Sequence, residues 1–172
     1  MSVAGARDAG VNALAMPPEQ ALLELTILNA EAHDHRFEEI MIPLLDRGVP
    51  PEVLTRLSEL WEHTKAVAGE IVAVGKIIVR AVVDFLIANP KLTIGLALGA
   101  ALASLIASIP FLGPILAPLS TWMSVAYGGA VGALMDAGDY SGAIYPAAIT
   151  LASKFFELLA AIFNGVQAYW MA

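Results

Sequence analysis

Three histidines and their acidic neighbours are the residues of this sequence best suited to chemistry. Glu31-Ala-His33-Asp34-His35 runs toward Glu38 and Glu39, and Glu59 stands four residues before His63. Imidazole and carboxylate one helical turn apart can hold zinc or iron. A di-iron bundle needs Glu-x-x-His on two helices. Glu59 misses that spacing by one, and Glu31 stands only two before His33. His33, His35, His63 and Glu59 are the metal candidates this leaves, and the spacing favours water-facing acid–base pairs over a metal site. No cofactor is expected.

Two other charged sets have a pattern. Lys76, Arg80 and Asp84 step by four, so they draw one polar line on an otherwise apolar helix. The line is either a wet face or the lining of an aqueous lumen in an oligomer. Lys154 and Glu157 are three apart on an apolar segment. That is ordinary helix-pair spacing in water, whereas inside a membrane the same pair would mark an ion path.

Nucleophilic chemistry finds little support. The chain has no cysteine, which removes thiol catalysis, disulfides and thiolate metal sites. There is no Gly-x-Ser-x-Gly elbow and no glycine-rich phosphate loop. Ser104, Ser108, Ser120 and Ser124 have no histidine or acid nearby in sequence, and hydroxyls in apolar helices commonly bond back to their own backbone. An enzyme is not expected.

The element that must organise the rest is the stretch Leu92 to Met135, which contains no charged residue. It reads as two apolar halves around a proline-rich centre, PFLGPILAP, which supplies a turn. A membrane helix needs about 17 to 20 apolar residues, and each half meets the lower limit. Small residues fall at Gly95, Gly99, Ala103 and Ala107 in the first half, and at Ser120, Ser124, Gly128 and Gly132 in the second. Stripes of this kind let helices approach closely in lipid. The expectation is a glycine-zipper transmembrane hairpin.

Before it, Pro17-Pro18-Glu19 suits a helix start. The spacing Leu23, Ile27, Ala30, Asp34, Phe37, Met41, Leu44 gives one seam, which Pro43 should kink or end. Asp46-Arg47-Gly48-Val49-Pro50-Pro51 is a stop and restart signal. Val53, Leu57, Leu60, Thr64, Val67, Ile71, Val74, Ile78, Ala81 and Phe85 then keep a four-three step, which predicts one long helix antiparallel to the first. After the hairpin comes a polar loop, Asp136 to Gly142. The segment from Ala143 reads as one apolar helix, with Tyr169-Trp170 suited to a membrane interface.

The expected fold class is all-α. It comprises an irregular arm over 1–16, an amphipathic antiparallel helical hairpin over 17–89, a membrane-embedded hairpin over 90–136, and an apolar helix over 137–172 that is interfacial or a third span. Apolar residues make up 58% of the 172 and charged ones 15%, below the roughly one quarter usual in soluble domains. The net charge of −7 excludes a nucleic-acid partner, which requires a basic face. Lys65, Lys76, Arg80 and Lys91 precede the first span, so positive-inside bias sets the N-terminal helices in the cytoplasm of a membrane-resident protein.

The expected partners are a lipid bilayer and further copies of the chain or a larger complex. The function expected first is an integral or membrane-inserting helical protein that oligomerises into a pore or a membrane-spanning assembly. One alternative is a membrane-anchored structural subunit of a larger machine, docked through its N-terminal helices. The other is a soluble bundle that inserts a hidden hairpin on triggering.

Overall fold

The computed structural model describes residues 16–119 and 140–170, with side chains from 147 onward in the second part. The described chain is mostly helical, as composition and periodicity predict. In order it runs α1 (Pro18–His33), α2 (Phe37–Asp46), α3 (Pro51–Trp61), β1 (Lys65–Val67), β2 (Glu70–Val72), α4 (Val74–Ala88), α5 (Ile94–Ser108), α6 (Pro110–Leu119), α7 (Tyr140–Phe155) and α8 (Glu157–Gly165). A 3-10 turn, Gln167–Tyr169, comes after α8.

The N-terminal pair of helices differs from expectation in both members. The first breaks at Asp34–Arg36, where Arg36 is extended (φ −117°, ψ 151°) and its N–H is accepted by the Glu39 carboxylate. Pro43 lies inside α2 without ending it. On α1 the buried face is Ala21, Leu25 and Ala32, while Leu23 is 60% and Ile27 45% exposed. The seam predicted through Leu23 and Ile27 is therefore the outer face. Polar Glu19, Gln20, Glu24, Thr26, Asn29, Glu31 and His33 are spread around α1 with no single apolar side, so periodicity alone could not pick its inner face. The choice falls on the face with small Ala21, which lets Gly165 of α8 approach: a Cβ added at Gly165 would lie 2.4 Å from the Ala21 Cβ.

The long second helix is divided by a β-hairpin. β1 and β2 pair antiparallel with Lys65 opposite Val72 and Val67 opposite Glu70. Ala68 (φ 53°) and Gly69 (φ 83°) make the two-residue turn. Positive φ at both central positions is the turn whose twist matches paired strands. The flanking Val67, Ile71 and Val72 are β-branched, a type that fits a pleated surface better than a helix. The four-three spacing nevertheless tracks burial across the break: Val53, Leu57, Leu60, Val67, Val74, Ile78 and Phe85 are buried, Ala81 is half-buried, and Thr64 and Ile71 are exposed.

Two polar ties hold this hairpin and α4 in place. The Asn29 side chain of α1 donates to the Ile71 carbonyl at 3.2 Å and accepts from the Ala73 N–H at 2.8 Å. The Arg47 guanidinium, from the α2–α3 turn, donates to the Leu86 carbonyl and, at 3.3 Å, to that of Leu92. A cation on the last carbonyls of a helix answers both its unpaired acceptors and its dipole.

At the other end of the chain, α7 and α8 are not one straight helix but meet at 56°. Phe156 at the bend is buried, against Phe85 of α4 at 5.6 Å and Phe155 at 5.3 Å. The bend lets that ring enter the core and turns α8 onto α1. Trp170, expected at a membrane interface, packs instead against Phe111 at 4.4 Å and bridges to Val67 of the β-hairpin.

Candidate functional site

The charge-free helix α5 is the centre of interest. Thr93 caps it, its hydroxyl accepting the Leu96 N–H at 3.3 Å. Eight of its fifteen residues are buried: Leu96, Ala97, Leu98, Ala100, Ala101, Leu102, Ser104 and Leu105. It packs chiefly on α7 and then on α4. At 15 residues it is about 22 Å long, against the ~30 Å of a hydrocarbon core. Among the described residues no single helix is long and apolar enough to cross a membrane, but the bent pair Ala147–Phe155 and Glu157–Gly165 is so by length and composition.

The small-residue stripe, expected to pack, is the less buried side of α5. Gly95, Gly99 and Ala103 are half-buried and Ala107 is exposed, whereas the buried residues between them are four leucines together with Ala97, Ala100, Ala101 and Ser104. A Cβ added at Gly99 would meet nothing within 4 Å. Close approach occurs elsewhere, at Gly75. There a Cβ would lie 1.6 Å from the Leu60 carbonyl oxygen, because the end of α3 crosses the start of α4. The second stripe, Ser120, Ser124, Gly128 and Gly132, lies outside the described residues. PFLGPILAP, expected to supply a turn, lies within the helix α6, which buries Leu112, Leu116 and Leu119 at four-three spacing.

Two polar clasps hold α5 to the C-terminal helices. The Ser104 hydroxyl, 1% exposed, bonds to that of Ser153 on α7 at 3.2 Å. The Asn164 amide of α8 donates to the Ser108 carbonyl at 2.7 Å. Neither clasp was visible in the sequence, because 49 and 56 residues separate the partners.

The histidines divide. His33 is exposed. His35 Nδ1 sits 3.2 Å from Glu39, whose second oxygen accepts the Arg36 N–H, so this pair serves the start of α2. Glu59 pairs with Arg56 at 3.2 Å. Among the described residues no group of three or more His, Asp or Glu could hold a metal ion.

His63 is the unusual one. It lines a cavity of about 130 Å³ with Arg56, Glu59, Leu60, Ile115, Pro118 and Leu119. Its Nε2 is enclosed without a hydrogen-bond partner, and its carbonyl accepts the Gly75 N–H at 2.9 Å. Burial pushes the imidazole pKa below its usual value, and the Lys65 charge pushes it the same way. The ring thus prefers to stay neutral where α3, α4 and α6 converge.

Lys76 and Arg80 are half-buried and Asp84 exposed, a line along the outer edge of α4. The Lys76 ammonium stands 5.7 Å from the Trp61 ring centroid, a cation–π contact. Lys154 and Glu157 are exposed and form no ion pair with one another: the ion pairs among described residues are His35–Glu39 and Arg56–Glu59.

Comparison with known protein families, with characterised proteins and with solved structures gives no match for this chain.

Proposed function

We propose that this chain is a membrane-inserting helical protein that holds the apolar helix α5 among its other helices and delivers it to a bilayer. The observation that carries the reading is the setting of α5. A helix with no charge of its own has its bulky face covered by α7 and α4 and is held by two neutral polar clasps. Neutral hydrogen bonds of this kind contribute about 1 kcal/mol each, so they hold the helix without making its release prohibitive. In lipid the bulky face would lose little by leaving protein, since acyl chains are as apolar as leucine.

A second reading concerns the state reached after insertion. The stripe Gly95, Gly99, Ala103 and Ala107 favours association of copies into a pore or membrane-spanning assembly, because it is smooth, less buried than the rest of α5 and open at Gly99, which suits close helix approach in lipid. A membrane-anchored subunit of a larger complex would use the same helix as a passive anchor.

The absence of native cysteine makes a direct test possible. The Ser104 and Ser153 oxygens are 3.2 Å apart, which sets the two thiols of the double variant S104C/S153C side by side, and loss of free thiol on oxidation reports the disulfide. Oxidised, this variant is expected to release no dye from loaded phosphatidylcholine vesicles, and reduction is expected to restore wild-type release. Release by the oxidised form equal to wild type would show that α5 does not leave α7.

A further inference from the structure

The end of α5 and the α7–α8 bend enclose a half-open cavity of about 230 Å³, lined by Ser108, Ile149, Thr150, Ser153, Lys154 and Glu157. That is below the ~300–1,000 Å³ of drug-sized sites, so it suits a small polar group. Its lining carries one cation and one anion, three residues apart, that do not pair with each other. The two hydroxyls of the Ser104–Ser153 bond use only one of their two protons in it, so the other is free to donate.

The cavity has an apolar border with the same period. Thr150, Lys154 and Glu157 step by four and three along the bent pair. Leu151, Phe155 and Leu158, each one residue later, repeat that step about 100° round the helix. These three are among the large apolar side chains left most open, at 47%, 42% and 62%. A polar line and an apolar line therefore run side by side across the bend. An amphiphile has both parts.

We infer that this cavity binds a zwitterionic phosphodiester headgroup, with Lys154 and the Ser153 hydroxyl on the phosphate and Glu157 on the amine. The inference rests on the bilayer reading above and names the class of lipid. Charge complementarity selects the zwitterion: an anion alone would leave Glu157 facing it, and a cation alone would leave Lys154. The net charge of −7 points the same way, because it repels the surface of an anionic leaflet. The apolar line then lies where the first acyl carbons of such a lipid would run.

The test uses the full chain with vesicles of phosphatidylethanolamine and phosphatidylcholine, with vesicles of phosphatidylglycerol, and with soluble glycerophosphoethanolamine. Wild type is expected to sediment with the zwitterionic vesicles at least about tenfold more tightly than with phosphatidylglycerol. K154Q and E157Q are each expected to weaken zwitterionic binding about tenfold, the worth of one charge-assisted hydrogen bond. Thermal melts should not move, since both side chains are exposed, and E157Q alone should narrow the preference against phosphatidylglycerol.

Unchanged binding by K154Q and E157Q, or dye release equal across both lipid classes, overturns the headgroup site and leaves the bilayer reading standing. Binding to no vesicle, together with glycerophosphoethanolamine shifting the amide resonances of Ser153 to Glu157 in wild type but not in E157Q, supports the headgroup site and overturns the bilayer reading.

Discussion

Gly75 and Gly99 both sit in helices, and their situations are opposite. At Gly75 two backbones cross so closely that a methyl group would fall 1.6 Å from the Leu60 carbonyl oxygen. At Gly99 the same methyl group would touch nothing. Yet Gly99 belongs to a regular stripe of small residues, and Gly75 belongs to none. Periodicity reveals that a helix has a smooth side; it does not reveal whether anything lies against that side. The difference also divides the molecule by task. The α3–α4 crossing is a fixed joint, whereas at Gly99 the backbone of α5 leaves room for a side chain.

The largest expected effect comes from that contrast. Gly75→Ala forces backbone against backbone, an overpacking expected to cost about 3 kcal/mol or more, and a circular-dichroism melt should fall by roughly 6–12 °C. Gly99→Ala should stabilise by up to about 1 kcal/mol, raising the melt by at most roughly 2–4 °C, because alanine is the better helix former. Equal damage at the two positions would erase the distinction between joint and open surface.

Next in size is Arg47→Met. It keeps an apolar stem but removes the donor to the Leu86 and Leu92 carbonyls. A charged donor of this type is worth about 1.5–3 kcal/mol. Urea denaturation should show a loss in that range, and no loss would mean that the end of α4 is held by packing alone.

The smallest effect is a pH dependence at the joint. His63 has its folded pKa lowered by burial and then by Lys65, so the unfolded chain binds its proton first. Stability is therefore full above the ordinary histidine value of about 6.5. It declines as pH falls through that value and levels off below the folded pKa. His63→Gln should flatten this part of the stability curve relative to wild type. A wild-type curve that rises on acidification from about pH 7.5 to 6 would refute the assignment.

The histidines show how far spacing reaches. His35 and Glu39 at one-turn separation do meet, but they serve a helix start rather than a metal. Glu59 and His63 have the same separation and line one cavity, yet Glu59 already holds Arg56. The β-hairpin at 65–72 was legible in principle from Val67-Ala68-Gly69-Glu70 between β-branched residues. It was hidden because its buried positions continue the four-three count of the helices on either side. Ser104, Ser153 and Asn164 gave no warning at all, since hydrogen bonds across 49 or more residues leave no local pattern.

Composition and periodicity by themselves determined that the chain is helical, that its centre from Leu92 onward is the least polar part, and that Asp46 to Pro51 is a turn. Those are short-range properties, set by side-chain type, chain stiffness and the 3.6-residue repeat. Only the tertiary structure decided which side of α1 and of α5 turns inward, where the long segments bend, and which glycine is indispensable. Each of those depends on the shape of a neighbour distant in sequence. Helices without a clear apolar side, α5 because it is apolar all round and α1 because its polar residues are scattered, bury almost as well in one rotation as in another, until packing selects between them.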